Sequence, residues 1–405
     1  MKNERSPTRF NRRAFLGSLG TVSLTTLFPL RRSLAAPTPP SGQTAEASLA
    51  DAAAARAARH ARKTASPQWK NGKFQNGLPE VTNFSSALGR LIFSDAQRTP
   101  AQEIPTRKRT QHDFDQPPTT GFRVTWLGHS TLLIELNGQR FLTDPVWGER
   151  ASPVSFAGPK RFFPVPLALN ALPKLDAVLI SHDHYDHLCR ETVESLAKLN
   201  VPFIVPLGVG DRLEEMGVDF RLIHECDWWD ELKWGNTTIA CVPARHFSGR
   251  TPFDRNSTLW CGWVFMGAKQ RFYFSGDTAY FSEFKTIGEK YGPFDLVAME
   301  SAAYNSAWPD VHIGPEQALR AFLDLKGKIY LPIHWATFSL STHSWTEPGE
   351  RLLVGAKKWN IELVLPRPGD SVEPAQLDPQ LKQKWWPEVA WESAEEAPVK
   401  SSGIP

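Results

Sequence analysis

The sequence predicts a layered α/β domain preceded by an N-terminal extension, and three observations carry that expectation. From Gly121 onward, short β-rich apolar runs alternate with helical patterns over roughly 250 residues, the mark of strands and helices packed in layers. Several of those runs stop on a histidine or aspartate, so ionisable side chains are delivered to strand ends. The residues before Gly121 share neither pattern.

Residues 1–36 read as an export signal: a basic start, Asn11-Arg12-Arg13-Ala14-Phe15-Leu16-Gly17, a modestly apolar stretch to Leu30, and a small-residue end at Ala35-Ala36. The paired Arg12-Arg13 resembles the twin-arginine type, although Asn11 and Gly17 depart from its usual pattern. Its expected partner is the twin-arginine export machinery, and its expected destination is the periplasm, with peripheral membrane contact. Pro37 to Ala65 is rich in Pro, Ala, Ser and Thr and reads as a disordered tether (37–65), although Asp51 to Lys63 has the composition of a short helix lacking an apolar stripe. Residues 66–120 read as a lead-in packed on the main domain, and 121–377 as the catalytic domain. The charged, Trp-bearing stretch 378–405 reads as a peripheral tail.

Within 121–377 the expected strands are 122–127, 131–136, 176–181, 237–242, 271–276, 295–300 and 328–333. The segments 190–199 and 315–325 carry helical patterns, the second opening on Gly314-Pro315 as a helix start should. Beyond the signal, no apolar run approaches the about 20 residues that cross a bilayer.

Forty-six basic residues against 43 acidic give a formal charge of +3. The signal holds seven of the basic residues and one acidic one, so the remainder carries 39 against 42, a net −3. That balance gives no general basic field, and nucleic acid is not an expected partner. The four cysteines, Cys189, Cys226, Cys241 and Cys261, have no metal-ribbon spacing and read as buried apolar residues.

The densest chemistry is Ser181-His182-Asp183-His184-Tyr185-Asp186-His187-Leu188, directly after the apolar run DAVLI. Imidazole nitrogen and carboxylate oxygen are the ligands that zinc and similar divalent ions take. His246, Asp277 and His334 each follow a later apolar run. Singly, each would read as a satisfied core residue. Together with the first string they supply the ligands of a two-metal site.

This ordered set resembles the metallo-β-lactamase superfamily, which implies a four-layer αββα sandwich. Within it, WLGHST (126–131), FLTDPVW (141–147), ASPVSFAGPKR (151–161), FSGDT (274–278), HIGPEQA (312–318) and IHWATF (333–338) resemble the phospholipase D that hydrolyses N-acylphosphatidylethanolamine. The resemblance implies that His182, His184 and His246 hold one metal, that Asp186, His187 and His334 hold the other, and that Asp277 bridges them. Two divalent ions would share a hydroxide and clamp a phosphodiester; zinc fits the histidine-rich set best, with manganese or iron taking the same donors. His312 is implied to face substrate, donating to a phosphoryl oxygen or protonating the leaving alkoxide. Asp277 and His312 are thus the expected catalytic pair. Asp183 is expected to orient a ligating histidine, His129 to support the turn behind the metals, and Asp144 to hold the loop beneath them.

Fifteen tryptophans, dense at Trp228-Trp229 and Trp234, suit a bilayer interface, and aromatic packing accounts for them equally well. Arg56, Arg59, Arg62 and Lys63 could touch anionic headgroups, or simply solvate a linker. The expected substrate is a phospholipid or another small-molecule phosphodiester. A small ester, a lactone or a soluble phosphodiester is the alternative, and a metal-binding envelope protein without turnover is the alternative of another class.

Overall fold

The computed structural model describes residues 45–83 and 95–402; the expected signal at 1–36 and the apolar positions Phe84, Leu88, Leu91, Ile92 and Phe93 of the lead-in lie outside the described residues. Contacts divide the chain into Met1–Leu49 and Ala50–Pro405, and every element below, apart from the first residues of the opening helix, belongs to the second unit.

In chain order the elements are α1 (Ala45–Ala65), β1 (Trp69–Lys70), β2 (Lys73–Phe74), β3 (Phe122–Gly128), β4 (Thr131–Leu136), β5 (Gln139–Thr143) and β6 (Ala177–Leu179). Then come α2 (Arg190–Ala197), β7 (Phe203–Pro206), α3 (Val209–Glu215), β8 (Ile223–Cys226), β9 (Glu231–Trp234), β10 (Thr237–Val242), β11 (Gly262–Met266) and β12 (Arg271–Phe274). The chain continues through α4 (Glu283–Tyr291), β13 (Leu296–Glu300), α5 (Pro315–Asp324), β14 (Tyr330–Ile333), α6 (Glu347–Trp359) and β15 (Ser371–Val372). One sheet has the order β15-β3-β4-β5-β6-β7-β8, the other β14-β13-β12-β11-β10-β9, and β1-β2 forms a small hairpin.

Period-two alternation explains why the two larger sheets stack. On β4 to β7, Leu132, Ile134, Phe141, Leu179 and Ile204 join the central core, where Phe141 meets Phe265 of the other sheet at 5.4 Å and Phe122 meets Phe272 at 5.8 Å between ring centroids. Their neighbours Leu133, Leu142, Val178 and Val205 turn to the opposite face, where Val193 and Leu196 of α2 and Val209 and Leu213 of α3 cover them. On the far side of the second sheet, Phe284 and Ile287 of α4, Leu319 and Phe322 of α5 and Leu352 of α6 bury their apolar stripes. Each side chain of this size contributes about 1.5–3 kcal/mol on full burial. The result is the expected four-layer αββα sandwich.

Three expectations about the flanks meet a different structure. The stretch expected as tether is helical from Ala45 to Ala65. Alanine-rich sequence favours that helix, and arginines rather than an apolar stripe fix it: Arg59 pairs with Glu214 at 2.6 Å, Arg62 with Asp230 at 2.8 Å, and Arg62 donates to the Glu225 carbonyl at 2.7 Å. Those cations are therefore spent on the protein's own acids. The C-terminal stretch is not peripheral, since Leu381 and Trp386 enter the central core and Val399 is buried. Trp228 and Trp234 pack against the core and donate their indole N–H to the Trp260 and Asp176 carbonyls, so packing, not a bilayer, explains them. All four cysteines are free and buried, as expected.

Candidate metal centre

The ligand-bearing loops meet because the strands that feed them run the same way. In the first sheet β5 and β6 are parallel; in the second β12, β13 and β14 are parallel, and β10 shares their direction through two antiparallel pairings by way of β11. Their C-terminal ends deliver Asp144, the 181–188 string, His246, Asp277, Glu300 and His334 to one edge of the sandwich. Backbone there is held in costly conformations: His129, Asp144 and His334 have φ of 53°, 37° and 63°. Such left-handed residues cost about 1–2 kcal/mol each and persist only where surroundings over-determine them. Gly276, just before Asp277, has φ 57°, and a Cβ there would stand 2.7 Å from the Cys261 carbonyl oxygen, so only glycine fits.

The structure brings all seven expected ligands together. His182 Nε2 and His246 Nε2 lie 2.8 and 3.2 Å from His184 Nδ1, and both are 3.7 Å from Asp277 Oδ2. On the other side, His187 Nε2 and His334 Nε2 lie 3.4 and 3.2 Å from Asp186 Oδ2, and each is 3.1 Å from Asp277 Oδ2. One carboxylate oxygen of Asp277 therefore stands between two groups of donors. The donor atoms of His182, His184, His246 and Asp277 all fall within 4.8 Å of one another, as do those of His129, Asp186, His187 and His334.

Partners behind the ring fix which nitrogen faces inward. Ser181 donates from Oγ to Asp144 Oδ2 at 2.6 Å, so the same oxygen accepts from His182 Nδ1 at 2.9 Å and leaves His182 Nε2 bare. His246 Nδ1 donates to the Val311 carbonyl at 2.8 Å, and His187 Nδ1 to Asp144 Oδ2 at 2.7 Å. Asp144, fully buried, also takes the Ser181 backbone N–H at 2.7 Å and so ties the metal loop to the end of β5. His129 Nε2 meets Asp186 Oδ2 at 2.9 Å and supports it from behind.

Two findings depart from the sequence reading. Asp183 orients no histidine; its carboxylate accepts from the Gly249 N–H at 2.7 Å and faces Arg212 at 3.4 Å, joining the 183 loop to the 249 loop. Glu300, which sequence reasoning missed, is fully buried, receives the Thr278 N–H at 2.5 Å and is hydrogen-bonded to His312 Nδ1. Its signal was there: it ends the apolar run DLVAME as His and Asp end the others. His312 itself stands with its Nδ1 3.9 Å from Asp277 Oδ2.

The electrostatics separate the two halves. Burial depresses His182 and His246 well below the ordinary imidazole value and His184 to about 4, so these three are neutral. Burial works against charge at His187 and His334 too, but Asp277 and Asp186 overcome it, raising His187 well above the usual range and His334 to about 10. Conversely, burial would raise Asp186 and Asp277, and the facing His187 holds both well below the usual carboxylate range. Burial, then Asp277, pushes Glu300 well up, and burial lowers His312 to about 4.

This donor set fits divalent cations. His182 Nε2 and His246 Nε2 both present lone pairs to His184 Nδ1, which can donate to only one of them. Asp277 Oδ1 and His187 Nε2 are buried with no hydrogen-bond partner. Neutral imidazoles and ionised carboxylates are the forms that ligate metal, and the protons on His187 and His334 stand where a cation's charge would otherwise balance Asp186 and Asp277.

Comparison with known proteins follows the same line. Residues 139–335 match the family model described as a beta-lactamase superfamily domain. The chain is 43% identical over 331 residues to an uncharacterized protein of Mycobacterium tuberculosis, covering 79% of this chain and 87% of that one. It is 41% identical over 309 residues to N-acyl-phosphatidylethanolamine-hydrolyzing phospholipase D 1 of Caenorhabditis elegans, covering 70% of this chain and 86% of that protein. Among solved structures, isothiocyanate hydrolase from Delia radicum gut bacteria aligns with a TM-score of 0.50 at 21% identity, over 62% of this chain and 98% of that one. A possible metal-dependent hydrolase from Veillonella parvula also aligns at 0.50, with 19% identity over 62% and 98%. These two share the fold.

Proposed function

The chain belongs to the metallo-β-lactamase superfamily as a metal-dependent hydrolase, and from that premise we propose that it is a phospholipase D-type phosphodiesterase acting on N-acylphosphatidylethanolamine-like phospholipids. The observation that carries the reading is Asp277 Oδ2, 3.1 to 3.7 Å from four imidazole nitrogens, with His312 beside it. In this proposal His182, His184 and His246 hold one divalent ion, Asp186, His187 and His334 the other, and Asp277 both. Zinc suits the nitrogen-rich set, and manganese or iron would take the same donors. Divalent ions so held bring the pKa of water towards neutrality and offset charge on phosphoryl oxygens.

The chain's own groups do the rest. Glu300 engages His312 Nδ1, so His312 is left with Nε2 for a phosphoryl oxygen or for the headgroup alkoxide that leaves. Its value near 4 makes His312 a neutral hydrogen-bond donor rather than an imidazolium. The twin-arginine-type segment 1–36 adds the proposal that this chemistry takes place in the periplasm.

The test is direct. Zinc-loaded protein, given defined N-acylphosphatidylethanolamine in mixed micelles, is expected to release N-acylethanolamine and phosphatidic acid, and His312→Gln is expected to slow release at least a hundredfold. Failure to release phosphatidic acid from N-acylated and ordinary phosphatidylethanolamine alike would end the lipid assignment.

A further inference from the structure

Among the described residues, two phenylalanines stand out in solvent, Phe156 and Phe253, 81% and 93% exposed, and both belong to loops that line one cavity of about 340 Å³. Arg150, Val154, Tyr185, Arg190 and Arg250 line that cavity. Tyr185 sits between His184 and Asp186, so the cavity abuts the metal loop, and its hydroxyl donates to the Arg250 carbonyl at 2.8 Å.

Neither ring is exposed through lack of structure. The finger carrying Phe156 is closed at its base: Ala151 N–H donates to the Pro159 carbonyl at 3.0 Å, Arg161 N–H to Glu149 at 2.8 Å, and Arg150 Nη1 to Gly158 at 2.6 Å. The turn carrying Phe253 is wound around Asp254, whose Oδ1 accepts from the N–H groups of Arg250 and Thr251 at 3.0 and 2.7 Å. Arg212 pins the other carboxylate oxygen at 2.5 Å. Two fully bonded turns thus hold large apolar rings outward, with exposed Val154 on the same finger. Single exposed hydrophobes are ordinary on any surface, but two aromatic rings on the loops of one cationic cavity are not scattered.

We propose that the 151–159 finger and the 250–254 turn dock the protein on a phospholipid bilayer. Phe156 and Phe253 enter the headgroup and acyl boundary while the half-exposed Arg190 meets lipid phosphate. Of the cavity's three arginines, Arg190 faces Glu194 across a 3.4 Å surface pair that a phosphate can replace, whereas Arg250 is held by the Asp183 and Leu188 carbonyls and Arg150 by that of Gly158. Apolar insertion joined to cation–phosphate contact is how soluble proteins lie on membranes, and here it turns the metal loop towards the surface. The docking site extends the lipid reading of function, yet its test reads binding rather than turnover.

The full chain is to be sedimented with sucrose-loaded vesicles of phosphatidylethanolamine and phosphatidylglycerol. The wild-type chain is expected to partition onto them, and Phe156→Ser/Phe253→Ser to lower the partition coefficient at least tenfold with thermal midpoint and metal content unchanged. Arg190→Gln is expected to flatten the salt dependence. A wild-type chain that stays in the supernatant, or a double serine variant that partitions like wild type, overturns the proposal. A chain that binds vesicles through these rings yet hydrolyses no phospholipid keeps the docking surface and removes the lipase.

Discussion

Asp144→Asn isolates the support beneath the metal loop. The backbone is not at stake, because asparagine tolerates the 37° φ as well as aspartate does. The amide oxygen can still accept the Ser181 N–H where Oδ1 did at 2.7 Å. The NH₂ must then replace Oδ2, which accepts from His187 Nδ1 at 2.7 Å and Ser181 Oγ at 2.6 Å. Ser181 can turn to accept, but His187 Nδ1–H then faces a donor in a site with no solvent, where an unsatisfied charged donor is worth about 2–4 kcal/mol. We expect urea denaturation of the metal-free variant to show a loss of that size, and competitive zinc titration to show affinity falling about 10- to 100-fold as the His187 ring is freed. Stability lost with zinc affinity unchanged would refute the claim that Asp144 aims His187.

Other consequences are equally direct. Gly276→Ala sets a Cβ 2.7 Å from the Cys261 carbonyl in a left-handed residue, and thermal denaturation should report at least about 1–2 kcal/mol lost, with metal occupancy falling as Asp277 shifts. Arg245→Met takes the cation from Asp310, its 3.0 Å partner in a pair with 2% and 0% side-chain exposure, and leaves that carboxylate to the Val81 and Ser402 N–H groups and the Ser402 hydroxyl, so urea titration should show a loss of about 2–3 kcal/mol. Burial, partly offset by the Gly210 N–H and Arg59, pushes Glu225 up to about 7. A raised carboxylate favours the folded state while protonated, so its contribution is full below about pH 4.5 and is lost as pH rises to about 7, on the order of 3 kcal/mol. Glu225→Gln should remove that slope from stability measured between pH 5 and 8; an unchanged slope would assign it elsewhere. Chelation of the metals should abolish headgroup release and lower the thermal midpoint, since ions bound only to the folded state stabilise it.

How much of this was readable from residue order depends on whether a feature is local. The string from His182 to His187 announced itself because an apolar strand stops and five ligand-type side chains, four of them expected ligands, follow within six positions. His246, Asp277 and His334 were readable by the same strand-end rule. Glu300 obeyed that rule and was passed over because a lone glutamate after an apolar run is also an ordinary strand end. The partners that matter most had no local trace: His246 reaches the carbonyl of Val311, and Arg245 binds Asp310 and the carbonyl of Ser402. The 45–65 helix shows locally only as helical composition around Asp51 to Lys63 with no apolar stripe, because its docking face is arginine matched to acids more than 150 positions away. Strands such as β5 and β8 were missed because they are short and partly polar, and only the finished sheet order explains them.

The central claim is that two cations sit within this ring of histidines and carboxylates. Anomalous diffraction at the zinc edge from crystals grown with zinc tests it most directly. Two peaks are predicted, about 3.5–4 Å apart, one beside His182, His184 and His246 and one beside Asp186, His187 and His334, with Asp277 between them. No peak in the ring, or one peak bound only by residues outside it, would contradict the account.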